Sequence, residues 1–222
     1  MTISLPLIVL GLAASFGLPA VGLYRRRCLR EPLDWTRLRR MLLRNWAVLL
    51  GLMSLVVVAG RVRDVGFRIP SVGVFVDGLL FGFIAFAGTM LLVGLVLRFT
   101  GGVTADEASL VVFDQSLSRR LAIGTTGATV ETILFFGFTI EALLAIGTAP
   151  WIAGIAAAGG VLLMRAQWDT RNALQWLPGA VVLSGIAIWT RTVLVVLLIR
   201  IVYDTITLAS GDASDYTVKR ET

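Results

Sequence analysis

Apolar residues in this chain come in runs that approach or reach the length of a bilayer crossing. Ile3 to Tyr24, Trp46 to Gly60, Val72 to Leu97, Leu121 to Ile146, Trp151 to Met164, Leu177 to Trp189 and Val193 to Ala209 are separated by short polar or basic stretches. A hydrocarbon core about 30 Å thick is crossed by roughly 20 residues of helix. In that medium a spanning segment must bond its own backbone N–H and C=O groups, which leaves helices or closed barrels. The expected architecture is an all-α, polytopic transmembrane helical bundle of about seven spans, because the runs show no strand-like alternation. Composition agrees: 57% of the 222 residues are hydrophobic, only 15% are charged, and the mean hydropathy is +0.86. A water-facing surface cannot be built from that mixture, so the main partner is the lipid bilayer.

The charges carry the orientation. No basic residue precedes the first run, whereas Arg25, Arg26, Arg27, Arg30, Arg37, Arg39, Arg40 and Arg44 follow it. A cleaved signal peptide has the opposite order, so the first run is expected to be a retained span. The positive-inside rule then places its C-terminal end in the cytoplasm and the N-terminus outside. The net charge of +6 comes from arginines set between apolar runs, which argues for a membrane surface and against nucleic acid as a partner. Leu38, Met41, Leu42 and Trp46 share a helical spacing with Arg37, Arg40 and Arg44 on another face, predicting an interfacial helix that runs into the second span. RVRDVGFRIPS reads as a loop, and Thr104 opens an expected helix start through its capping-box residue types. The fifth run is rich in Gly154, Ala156, Ala158 and Gly160, which predicts a central, closely packed helix. Residues 1–118 are read as the N-terminal helices, 119–209 as a core unit and 210–222 as a polar cytoplasmic tail.

Two absences limit the chemistry. The chain has no histidine, and its one cysteine, Cys28, stands in RRRCLRE beside the membrane. The commonest general base and metal ligand is thus missing, no internal disulfide is possible, and neither a metal nor a cofactor is expected. Function must rest on ionisable groups within the runs, each costing at least ~2.5 kcal/mol at bilayer depth. Asp77, Arg165 and Glu141 are read as lying near span ends, where long side chains reach the interface. Glu131, Arg200 and Asp204 are flanked by apolar residues for several positions. Arg200 and Asp204 are four apart and can pair on one helix face. Glu131 either pairs with Arg200 across the bundle or sits there protonated.

The segment ETILFFGF, Glu131 to Phe138, resembles the first signature of the CPBP intramembrane proteases, also called CAAX-protease or Abi proteins. That signature is a Glu-Glu pair, two or three apolar residues, then Arg-Gly. Glu131 and Gly137 match it, while Thr132 replaces the second Glu and Phe136 the Arg. At the family's second signature, Phe-x-x-x-His, stand Leu163 and Gln167. At its third, His-x-x-x-Asn/Asp, stand Arg200 and Asp204. The resemblance covers roughly Arg119 to Leu208. It implies an intramembrane endopeptidase fold with catalytic positions at Glu131, Arg200 and Asp204 and substrate-binding positions at Thr132, Phe136 and Gln167.

With the histidines replaced, the leading expectation is a multi-pass cell-membrane pseudoprotease that binds a hydrophobic transmembrane helix or a prenylated, lipidated peptide. An active CAAX-type endopeptidase using Glu131 and a small transporter or channel are the alternatives. Glu131, Gln167, Arg200 and Asp204 are expected to converge in one polar cluster, since isolated polar groups in lipid are costly. An odd number of spans places the two termini on opposite faces. Single cysteines at Thr2 and Ser214, probed with an impermeant maleimide in sealed vesicles, are expected to label from opposite sides; labelling of both from one side would refute it.

Overall fold

The computed structural model describes residues 4–28, 34–99, 111–167 and 173–210. Each of the seven apolar runs is helical, and no strand occurs among the described residues. The helices are α1 (Leu5–Cys28), α2 (Trp35–Val58), α3 (Val72–Phe99), α4 (Leu117–Ala145), α5 (Pro150–Ala166), α6 (Leu177–Thr190) and α7 (Val193–Ser210). Five are long and apolar enough to cross a membrane: α1, α2, α3, α4 and α7, of 24, 24, 28, 29 and 18 residues. Helix α5, with 17 residues, extends about 25 Å at 1.5 Å per residue. Helix α6 gains a 3-10 turn at Leu174–Trp176, giving Leu174–Thr190 a similar length. The expected Thr104 helix start and the polar tail lie outside the described residues.

The predicted interfacial helix and the second span are one element. Asp34 caps α2, its Oδ1 accepting from the Arg37 backbone N–H at 2.7 Å, and the helix continues unbroken to Val58. The sequence boundary at Trp46 fell where arginines give way to apolar residues, a change of face composition that does not interrupt backbone hydrogen bonding.

Helix α4 is the axis of the bundle. Every residue from Val130 to Ala142 is buried, which corrects the expectation that the Gly- and Ala-rich fifth run is central. Helix α5 packs one layer out. Its small residues Ala153, Gly154, Ala157, Ala158 and Gly160 are buried, while Trp151, Ile152 and Ile155 are exposed along the other side. Gly160 meets the Phe135 ring so closely that a Cβ there has no room, and Ser184 Oγ of α6 donates to the Gly154 carbonyl at 3.0 Å. Small residues thus mark a close helix contact, which one face supplies without the helix being central. Helix α3 is the most peripheral. Only Gly78, Gly82 and Phe86 are buried along its 28 residues, and Phe86 meets Tyr203 of α7 edge-on at 4.9 Å.

Neighbouring contacts fix the chain directions. Ser15 Oγ of α1 donates to the Leu134 carbonyl at 3.2 Å and Gly11 lies against Phe138, so α1 runs antiparallel to α4. Gly124, Glu131 and Gly137 of α4 meet Leu208, Arg200 and Val193 of α7 in reverse order, so these two are antiparallel as well. Trp46 Nε1 donates to Thr126 Oγ1 at 3.2 Å, and Arg119 stacks over Trp35, which brings the starts of α2 and α4 to one end. The arginines that end α1 and open α2 and α4 therefore share one end of the bundle.

At the opposite end, the segment after α2 is tied down. Glu141 Oε2 accepts from Arg68 Nη2 at 2.8 Å, Thr192 Oγ1 donates to the Arg68 carbonyl at 2.8 Å, and Val193 N donates to the Gly66 carbonyl at 2.8 Å. Glu141 lies near a helix end, as expected, yet it is buried and paired. Asp77 is exposed in the second turn of α3, in accord with an end position.

Adjacent glycines on α5 separate packing from propensity. Gly160→Ala is expected to destabilise by about 1–3 kcal/mol through overpacking against Phe135. Gly159, with nothing within 4 Å of a Cβ, is expected to gain up to about 1 kcal/mol as Ala from helix propensity. Unfolding midpoints of the two variants in one detergent check this; equal shifts would contradict the packing assignment.

Candidate functional site

Glu131 is the central residue of the 29-residue α4, with helix on both sides of it. Its placement leaves the carboxylate no route to water along its own helix, so partners must come from neighbours. Two arrive. Arg165 Nη2, from the last turn of α5, donates to Glu131 Oε2 at 2.9 Å, and Arg200 Nη2, from α7, donates to the same oxygen at 3.0 Å. Arg200 Nη2 also donates to Asp204 Oδ2 at 3.1 Å, one turn along α7. The expected Glu131–Arg200 and Arg200–Asp204 pairs are therefore both present. The Arg200 side chain is 2% exposed, so these are interactions in a medium of low dielectric, where charge-assisted hydrogen bonds are strong and an unpaired charge is costly.

Arg165 and Trp176 complete the cluster, and neither belonged to the predicted site. Its place in the sequence predicts an interfacial residue near a span end for Arg165. It does lie in the last turn of α5 and keeps a quarter of its side chain exposed, but its guanidinium turns inward to Glu131. Trp176, in the turn before α6, places its ring 4.1 Å from the Arg165 guanidinium carbon and 5.2 Å from that of Arg200. A single indole ring thus lies against both cations, adding cation–π attraction and apolar cover. A tryptophan adjoining the start of an apolar run is the only sequence signal for it, and interfacial tryptophans are common enough to hide it.

Gln167 does not join. Its Nε2 contacts Met164 Sδ at 2.7 Å, and its Oε1 presses on α1 where Gly22 leaves room. Arg165 and Gln167 are two residues apart, so they point to different sides of the chain, and only one of them can face Glu131. Thr132 and Phe136 are fully buried in the core beside the cluster. Thr132 Oγ1 and Arg200 Nε are buried with no hydrogen-bond partner among the described residues.

The segment that carries the signature-like residues has its own geometry. Thr132–Thr139 is π-helical, inserted between α-helical stretches of α4. Thr139 Oγ1 donates to the Leu134 carbonyl five residues back at 2.8 Å, and Ser15 of α1 donates to the same oxygen. A widened turn of this kind is rare and frequent at functional sites. Here its carbonyl is satisfied by two hydroxyls. Gly137 lets the segment pass close to the Val65 carbonyl, 3.0 Å from the position of a Cβ.

Chemically, the cluster holds two guanidiniums against two carboxylates. Arginine exchanges no proton at working pH, and Glu131 Oε2 is engaged twice, so the arrangement is suited to holding helices together. No group of three or more His, Cys, Asp or Glu among the described residues is placed to hold a metal ion. Comparison of the chain with family models, curated proteins and solved structures gives no match.

Glu131→Gln leaves the buried Arg200 with Asp204 as its one carboxylate among the described residues and turns the partly exposed Arg165 toward a neutral amide. The expected cost is about 3–5 kcal/mol, the range for breaking a buried pair. Glu131→Gln combined with Arg200→Met is expected to cost less than the two changes added, with a coupling of about 1–3 kcal/mol. Unfolding titrations in mixed micelles measure the cycle, and strict additivity would dissolve the assigned interaction.

Proposed function

We propose that this multi-pass membrane protein is a non-hydrolytic relative of CPBP-type intramembrane proteases, in which the positions used for catalysis hold a structural ion-pair lock. The observation that carries the proposal is the double engagement of Glu131 by Arg165 and Arg200. A carboxylate that activates water has to be presented to that water, and here both bonds converge on Oε2 and hold the group turned toward α5 and α7. The resemblance in ETILFFGF and RIVYD supports the family, and the seven alternating helices, with α5 and α6 short, support a seven-span topology with the arginine-rich end in the cytoplasm of a cell membrane. In this reading the molecule binds rather than cleaves, and a hydrophobic or prenylated peptide is the ligand class that goes with it.

Purified protein in lipid nanodiscs is expected to leave prenylated and transmembrane peptides intact. Loss of one oxyanion donor alone costs about 10²- to 10³-fold in hydrolysis, and several polar groups differ here together. Cleavage by the parent chain that disappears in a folded Glu131→Gln variant would replace the lock with an active endopeptidase.

A further inference from the structure

Helix α4 changes winding between its two buried acids, and each acid is held by groups from outside the helix. Before the π-helical Thr132–Thr139, Glu131 is fixed by Arg165 and Arg200. Beyond it, Glu141 Oε2 accepts from Arg68 Nη2 at 2.8 Å. Arg68 belongs to the segment after α2, and that segment is secured to the start of α7 by the bonds from Val193 N to the Gly66 carbonyl and from Thr192 Oγ1 to the Arg68 carbonyl. It reaches α4 through the Arg68–Glu141 pair and the close approach of the Val65 carbonyl to Gly137. The Arg68 side chain is 37% exposed, against 2% for Arg200 at the other end. One end of the winding change is sealed in the core, and the other is open to the surroundings.

The π winding is rare, and an uninterrupted α-helix is the ordinary form of such a segment. Returning Thr132–Thr139 to i→i+4 bonding shifts the register of its two ends by about one residue, roughly 100° of rotation at 3.6 residues per turn. Glu131 and Glu141 do not both keep their partners through that turn. Glu131 is gripped by two helices in the interior, so the end that carries Glu141 is the part that moves. Arg191, exposed at the turn between α6 and α7, lies close enough to act on the charge of Glu141, which gives the turning carboxylate a second cation nearby.

We infer that the Arg68–Glu141 pair is a latch. Closed, it holds Thr132–Thr139 in the π winding; opened, it lets the segment rewind to α-helix and the far end of α4 turn, with the Glu131 lock as the fixed anchor. The inference rests on the lock and not on the absence of hydrolysis, so peptide cleavage by the parent chain would retire the non-hydrolytic reading and leave the latch standing. The full chain with Cys28→Ser is spin-labelled at Ile146, just past α4, and in turn at Val76 of α3 or Leu5 of α1, all three exposed positions. Distances in lipid nanodiscs are read by double electron–electron resonance for the parent, Arg68→Gln, Glu141→Leu and Arg63→Gln, the last removing an exposed charge from the same segment. At a helix radius of about 5–6 Å the turn carries Ile146 roughly 8 Å sideways. The expected result is a shift of about 3 Å or more in at least one Ile146 distance in both latch variants, with Arg63→Gln unchanged and the Val76–Leu5 distance constant throughout. Parent-like Ile146 distances in folded latch variants, an equal shift in Arg63→Gln, or a matching change between Val76 and Leu5 would overturn it.

Discussion

One carboxylate, Glu131, organises the interior. Placed halfway along α4, where the stretch buried on every side begins, it has to be neutralised by groups from other helices, and this requirement brings α5 and α7 to α4 in a fixed register. Apolar contacts in lipid lack the directional preference to do this, since hydrocarbon tails compete with leucine on equal terms. The ion pairs add that preference. Trp176 extends it to the turn before α6 by covering both guanidiniums. Packing of small residues, as at Gly160 against Phe135, then determines how closely the helices approach once their register is set.

The π-helical stretch of α4 fits into the same scheme. It begins one residue after Glu131 and ends before Glu141, so the two buried acids lie on either side of a change in helical winding. Glu131 is thereby free to face Arg165 and Arg200 while Glu141 faces Arg68. Hydroxyls from Ser15 and Thr139 satisfy the carbonyl of Leu134 within the widened turn, which makes the irregularity tolerable in a buried setting.

Helix positions and the Glu131, Arg200 and Asp204 grouping were legible because both follow from the cost of polar groups in lipid: apolar run length marks the helices, and the rare charges within them need partners. Arg200 and Asp204 were within reach of each other by spacing alone. Arg165 and Gln167 could not be sorted that way, since they stand two apart near a helix end and only the three-dimensional neighbour decides which one turns inward. The winding of Thr132–Thr139 left no trace in the pattern of residues, because a segment buried all round has no apolar stripe whose period can be read. Centrality was misplaced onto α5 for a related reason: glycine and alanine report how near a neighbour comes, and the helix with most neighbours here is lined with phenylalanine and leucine.

The division of charges among helices bears on how such a chain is made. Glu131 and Arg165 lie on α4 and α5, which leave the ribosome one after the other, and Arg200 arrives with Asp204 on α7. The polypeptide therefore delivers the charges of this cluster to the bilayer as two electroneutral consignments, a hairpin and a single helix, and neither has to wait in lipid for the other to cancel its charge. Membrane insertion and final assembly can be successive steps, the second joining Glu131 to Arg200 only after both have been lodged at depth.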